Sequence, residues 1–144
     1  LPLSRGLGDV YKRQDNKPIY DEKLDSWVAP FFMAPINTKN IHRSNALMDH
    51  IYGEDFCYNE MWIQGTGDEG KAAADSIFKS NPLSNAPKPG EGPSRESREN
   101  GNYDLLFCGD IDDKSIHVSV TGDMDPGYGS TSKMITESAV CLVK

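Results

Sequence analysis

The 144-residue chain reads as an α+β protein with a mostly antiparallel sheet and flanking helices. Three observations predict that class. Residues 55–65, 102–109 and 115–122 are rich in the aromatic, β-branched and alternating residues of half-buried strands. The last two runs are separated by the acidic turn "DIDDK", a hairpin signal. Helix-like runs are interleaved with these strands, and none of the strands is the unbroken aliphatic run that a parallel sheet needs.

Taken in order, residues 4–14, "SRGLGDVYKRQ", back-translate to a transposase adapter used in DNA library preparation. Residues 1–14 are therefore set aside as a non-native segment, expected to have no fixed place in the fold. Residues 15–144 read as a partial domain, cut at both ends, because the chain stops on "AVCLVK" inside an apolar periodic run with no C-cap glycine. "INTKNIHRSNALMDHIYG" predicts a helix with Asn37 or Thr38 as N-cap and Gly53 as its stop. "DFCYNEMWIQG" predicts a strand with Phe56, Tyr58, Glu60 and Trp62 on one face, where Glu60 is either solvated at the edge or paired. "EGKAAADSIFKS" follows as a short helix, and the prolines and glycines of "NPLSNAPKPGEGPS" then stop regular structure. "SRESREN" is a short polar helix capped by Ser94, with Gly101 just past its end. After the hairpin, "STSKMITESAVCLV" predicts a helix whose buried stripe is Met134, Ser138 or Ala139, and Cys141 or Leu142.

Charge narrows the function. Lys and Arg number 15 against 22 Asp and Glu, a net charge of −7, and the balance is more acidic still without Arg5, Asp9, Lys12 and Arg13. Such a surface repels phosphate backbones, so no nucleic-acid partner is expected. No apolar run approaches the length of a transmembrane segment. Cys57, Cys108 and Cys141 are odd in number and widely spaced, which reads as reduced core thiols of a cytoplasmic protein. No metal is expected: there is no C-x-x-C, His42, His50 and His117 lack zinc spacing, and the acidic turns "GDIDDKS" and "GDMDPGYG" lack the glycine and glutamate of a calcium loop.

The stretch "GTGDEGK", with glycines at 65, 67 and 70, has the G-x-G-x-x-G spacing of a dinucleotide loop. Asp68 and Glu69 inside it repel an anion, Ala72 replaces the magnesium-binding hydroxyl of a P-loop, and the preceding residues alternate as a one-sided strand does. It is expected to be a strand-to-helix turn that binds no phosphate.

The segments "WVAPFFMAPINTKNIHRSNAL", "YGEDFCYNE", "PKPGEGPSRESRENGNYD" and "VTGDMDPGYGSTSKMITESAVCL" together resemble the C-terminal half of saccharopine dehydrogenase-like oxidoreductases, a group that includes the trans-acting enoyl reductases. "GEGPS…RENG" and "GDMDPGYGST" are its most specific parts. The resemblance implies the second domain of a two-domain oxidoreductase, whose missing Rossmann domain would be its partner and would hold NADP or NAD. It further implies hydride transfer to an acyl, lipid-type or imine substrate, association with lipid, and a possible homodimer.

On the residues themselves, Asn37, Arg43, Ser44 and Asn45 place polar groups on and before an amphipathic helix, where they can face a carboxylate or phosphate. Their structural alternatives are helix capping and a surface ion pair. Asp125 and Gly127 belong to a turn whose amides can approach a ligand, and Tyr128 is the candidate proton donor; the alternative is turn chemistry alone. A second function class remains beside the enzyme, a non-catalytic lipid-associated or protein-interaction scaffold on the same fold. In either case an apolar surface around Trp27, Phe31, Phe32 and Met33 is expected to be open for the missing domain.

Overall fold

The computed structural model describes residues 15–80, 84, 88 and 90–143, so the expectation for residues 1–14 lies outside the described residues. The chain divides into two compact units, residues 1–85 and 86–144, each with its own antiparallel sheet. Among the described residues, an α+β fold with small antiparallel sheets and four helices agrees with the class read from the sequence.

In the first unit, β1 (Ile19–Asp21), β2 (Ser26–Pro30) and β3 (Met61–Gly65) form a sheet in the order β1-β2-β3. Between β2 and β3 runs helix α1 (Ala34–Leu47), and α2 (Gly67–Lys79) leaves β3 and packs on β2 and β3. Strand β2 is the heart of the unit. Its successive residues Val28 and Ala29 point to opposite faces, yet both are buried, at 2% and 0% exposure, so the strand is covered on both sides. Ala34 at the start of α1 and Gly70 and Ala74, one turn apart on α2, are buried as well; small side chains here let helix and sheet approach closely. The sequence reading had no strands at β1 and β2, because each is too short for its alternation to stand out.

Three boundaries move. Helix α1 begins at Ala34, with Pro35 in its first turn, so Asn37 and Thr38 are inside the helix and not its cap. It ends at Leu47, and the residues expected to carry it to Gly53 instead turn through Asp49 and His50, both with positive φ. Only residues 61–65 of the expected 55–65 strand pair with β2, because β2 stops at Pro30, level with Met61.

In the second unit, α3 (Arg95–Glu99) is capped as expected, the Ser97 amide donating to Ser94 Oγ at 3.1 Å. Strands β4 (Tyr103–Ile111) and β5 (Lys114–Gly122) pair along their whole lengths around the two-residue loop of Asp112 and Asp113. Register sorts the hairpin into two faces. Tyr103, Leu105, Phe107 and Ile111 share one with Ile116, Val118 and Val120, while Asp104, Cys108 and Asp110 share the other with Ser115, His117, Ser119 and Thr121. The apolar face is exposed, Phe107 at 49%. Helix α4 (Gly129–Leu142) is well formed but buries only Gly129 and Ser130, so the expected buried stripe of Met134, Ser138 or Ala139, and Cys141 or Leu142 lies in solvent. All three cysteines are exposed, which corrects their reading as core thiols. The surface expected to be open around Trp27 is only partly so: Phe32 is exposed, and Trp27, Phe31 and Met33 are half-buried.

Candidate functional site

Helix α1 meets the irregular segment 52–60 along a polar seam in the first unit. At its C-terminal end, Asn45 is 3% exposed; its Nδ2 donates to the Gly53 carbonyl at 2.8 Å and its Oδ1 accepts the Tyr52 amide at 2.9 Å. One turn back, His42 packs on Phe56, ring centroids 5.6 Å apart. Near the other end of the helix, three residues past Ala34, Asn37 Nδ2 donates to Glu60 Oε2 at 2.9 Å, and Tyr58 Oη donates to Glu60 Oε1 at 2.5 Å. Glu60 is thus paired, as the structural reading of the sequence had it. Burial first, then the Glu60 carboxylate, pushes the Tyr58 phenol well above its usual range, so it stays a protonated donor. His42 Nε2 and Thr38 Oγ1 are buried with no hydrogen-bond partner, and burial lowers the His42 pKa.

This seam separates the four residues singled out on α1. Asn37 and Asn45 point into it and hold the 52–60 segment, whereas Arg43 and Ser44 are exposed. Beside the seam, the end of β2, the start of α1 and the end of α2 enclose a cleft of about 570 Å³. Phe31, Phe32, Trp62, Ile77 and Phe78 line it, with Asp15 at its margin. Phe31 sits tilted against Trp62 at 5.3 Å and edge-on to Phe32 at 5.0 Å. Sequence reasoning noted the apolar "PFFMA" and Trp62 but passed over Ile77 and Phe78. The signal was there: Phe78 follows Ile77 at the last turn of an otherwise small, polar helix.

The glycine loop has a structural explanation at each glycine. Gly65 and Gly67 take φ of 100° and 64°, which turns the chain from β3 into α2, and a Cβ at Gly70 would lie 2.1 Å from the Gly65 carbonyl oxygen. Asp68 and Glu69 occupy the first turn of α2, and Lys71 Nζ stands 5.4 Å from the ring centroid of Trp27. The helix start thus carries two carboxylates and its lysine is engaged on an indole.

In the second unit, the two most distinctive motifs meet. The Asp125 amide donates to the Arg98 carbonyl at 2.9 Å, a Cβ on Gly101 would lie 2.5 Å from the Asp125 nitrogen, and one on Gly129 would lie 3.2 Å from the Arg98 oxygen. Glycine is required at 101, where a Cβ would overlap backbone, and little room is left at 129. Asp125 Oδ2 accepts the amides of Tyr128 at 2.6 Å and Gly129 at 3.2 Å, so the turn amides converge on this chain's own carboxylate and cap α4. The Tyr128 amide is the main reason the Asp125 pKa is lowered. Tyr128 itself is exposed, its ring over Gly92. A Cβ on Gly127 would be in ordinary contact with the Asp125 carboxylate, so no close approach demands glycine there. Among the described residues there is no group of three His, Cys, Asp or Glu side chains placed to hold a metal, and no helix long and apolar enough to cross a membrane.

No protein-family profile matches the chain, and no solved structure does. Curated proteins do. A Mycobacterium tuberculosis protein named as a trans-acting enoyl reductase is 33% identical over 135 residues, covering 81% of this chain and 32% of its own length. A trans-acting enoyl reductase of Mycobacterium ulcerans is 28% identical over 150 residues, covering 92% of this chain and 36% of its own. That of Mycobacterium bovis is 26% identical over 156 residues, covering 95% and 37%. The chain is thus a relative of proteins named trans-acting enoyl reductases, and it spans about a third of their length.

Proposed function

We propose that this chain is part of an NAD(P)-dependent oxidoreductase of the enoyl-reductase kind, built on the saccharopine dehydrogenase-like plan and acting on an acyl substrate. The observation that carries the reading is the similarity to trans-acting enoyl reductases over 81–95% of the chain. The union of "GEGPS…RENG" with "GDMDPGYGST" around Asp125 supports it, since those motifs prompted the resemblance and form one structural unit. A nicotinamide supplies hydride in such reductions. The turn at 65–71 does not fit it, so in this reading the dinucleotide is held by residues beyond this chain.

What this chain contributes is on the substrate side. Tyr128, exposed at the start of α4, holds a proton at Oη for the α-carbon. Asp125 fixes the Tyr128 backbone by accepting its amide. The test is to place the chain in the M. tuberculosis relative in exchange for the segment it matches and follow NADPH consumption with a 2-enoyl thioester. The chimaera is expected to turn over and the chain alone not to, with Tyr128→Phe lowering kcat by about 10²-fold or more. A chimaera that binds NADPH and the thioester but reduces nothing would instead favour the non-catalytic scaffold.

A further inference from the structure

We propose that the cleft between β2, α1 and α2 is a binding site for one unbranched hydrocarbon chain carrying an uncharged head, and that Asp15 at its margin is the residue that turns away the free acid. The class of ligand rests on the acyl reading above; the charge selection rests on the cleft itself.

Size and lining come first. A volume of about 570 Å³ lies within the range of small-molecule sites. Phe32, Trp62 and Phe78 converge on it while still 43%, 44% and 50% exposed, so an apolar ligand gains by covering three large side chains at once. Geometry then favours a chain over a flat ring. Phe31 makes interplanar angles of 65° with Phe32 and 55° with Trp62, so neither pair offers parallel faces to a planar group, whereas a flexible chain follows tilted walls. Ile77 adds an aliphatic wall.

The head is set by charge. Among the described residues lining the cleft, Asp15 is the charged one, and no Lys or Arg stands there to receive a carboxylate. Asn59 Nδ2 donates to Asp15 Oδ2 at 2.9 Å, which fixes the carboxylate at the margin. An ester, thioester or amide head meets no penalty beside it, while a fatty carboxylate meets like charge.

The test uses the full chain and the two tryptophans, Trp27 and Trp62. In a Trp27→Phe background, Trp62 emission is titrated with S-octanoyl-N-acetylcysteamine and, separately, with octanoate. The thioester is expected to give a saturable change and octanoate to bind about tenfold more weakly at low ionic strength. Asp15→Asn should close that gap and Asp15→Lys should reverse it. Phe78→Asp alters an exposed side chain, so the fold survives, and it should abolish the signal with the circular dichroism unchanged. Equal binding of thioester and acid in the parent, a preference indifferent to residue 15, or saturable binding that survives Phe78→Asp would each overturn the proposal. Reduction plays no part in the readout. Thioester binding with no turnover in the chimaera would leave the cleft standing and count against the reductase, and turnover without binding here would do the reverse.

Discussion

The two units solve the same problem with unequal success. Each has an antiparallel sheet and a helix following it, but in the first α2 lies on the sheet and β2 is buried on both faces, whereas in the second the apolar side of β4–β5 remains open. The second unit is held instead by its cross-strand bonds, the Asp125 cap and the backbone contacts at Gly101 and Gly129. A two-stranded hairpin with no cover is marginal in water, and burial is the dominant favourable term in folding. Stability should therefore be concentrated in the unit that carries the cleft.

The largest effect expected follows from what opposes each glycine. At Gly70 a Cβ would meet the Gly65 backbone 2.1 Å away, which cannot yield without opening the turn between β3 and α2, so Gly70→Ala should cost about 3 kcal/mol. At Gly122 the obstacle, 2.2 Å away, is the ring of Tyr103, which can swing aside, and Gly122→Ala should cost about 1 kcal/mol or less. Urea denaturation of both variants measures the contrast. Similar costs at the two positions would break the distinction between units.

A second pair holds the chemistry constant. Val28→Ala empties space in a strand buried on both sides and should cost about 2 kcal/mol. Val118→Ala, on the open face of the hairpin, should cost about 0.5 kcal/mol or less. Equal losses would mean that the β4–β5 face is covered in solution.

Much of this was legible in the sequence, and unevenly. The hairpin, its turn, the Ser94 cap and α2 were readable because each depends on local pattern: alternation, a capping hydroxyl, a run of alanines. The role of Asn45 was not, because its partners, Tyr52 and Gly53, belong to a turn that periodicity reads as more helix. The α4 stripe failed for the opposite reason. Its pattern is real, but pattern shows which side of a helix is apolar and not whether anything covers it. For the candidate site, the sequence pointed to Asn37 and Asp125 through their polarity, and the structure shows the first bonded to Glu60 and the second capping α4. The cleft was half visible, since its aromatic wall comes from three separated segments that only the fold brings together.

Smaller effects sharpen the comparison within each unit. Asp125→Ala removes the acceptor of the Tyr128 and Gly129 amides and should fray the first turn of α4, read as lost helical signal and faster exchange at residues 128–131. Asp125→Asn should keep part of the cap. The sign with pH follows from the lowered pKa: the contribution is present above the ordinary value of 3.8 and is lost as pH falls through the folded one. For His42 the direction is also downward from 6.5, caused by burial. As pH falls, the unfolded chain takes up this proton first, so the neutral packing on Phe56 is intact above 6.5 and stability declines below it. The melting temperature of His42→Gln should lose that part of its acid slope, and an unchanged slope would show that the ring takes its proton freely.

Amide hydrogen exchange on the full chain tests the unequal burial most directly. The amides of Val28 and Ala29 and of the middle of α2 should be the slowest, near the global unfolding limit, while those from Leu105 to Val120 should exchange faster by about two orders of magnitude or more. Hairpin amides as slow as those of β2, with the two sets losing protection together, would contradict the account and make the chain one cooperative body.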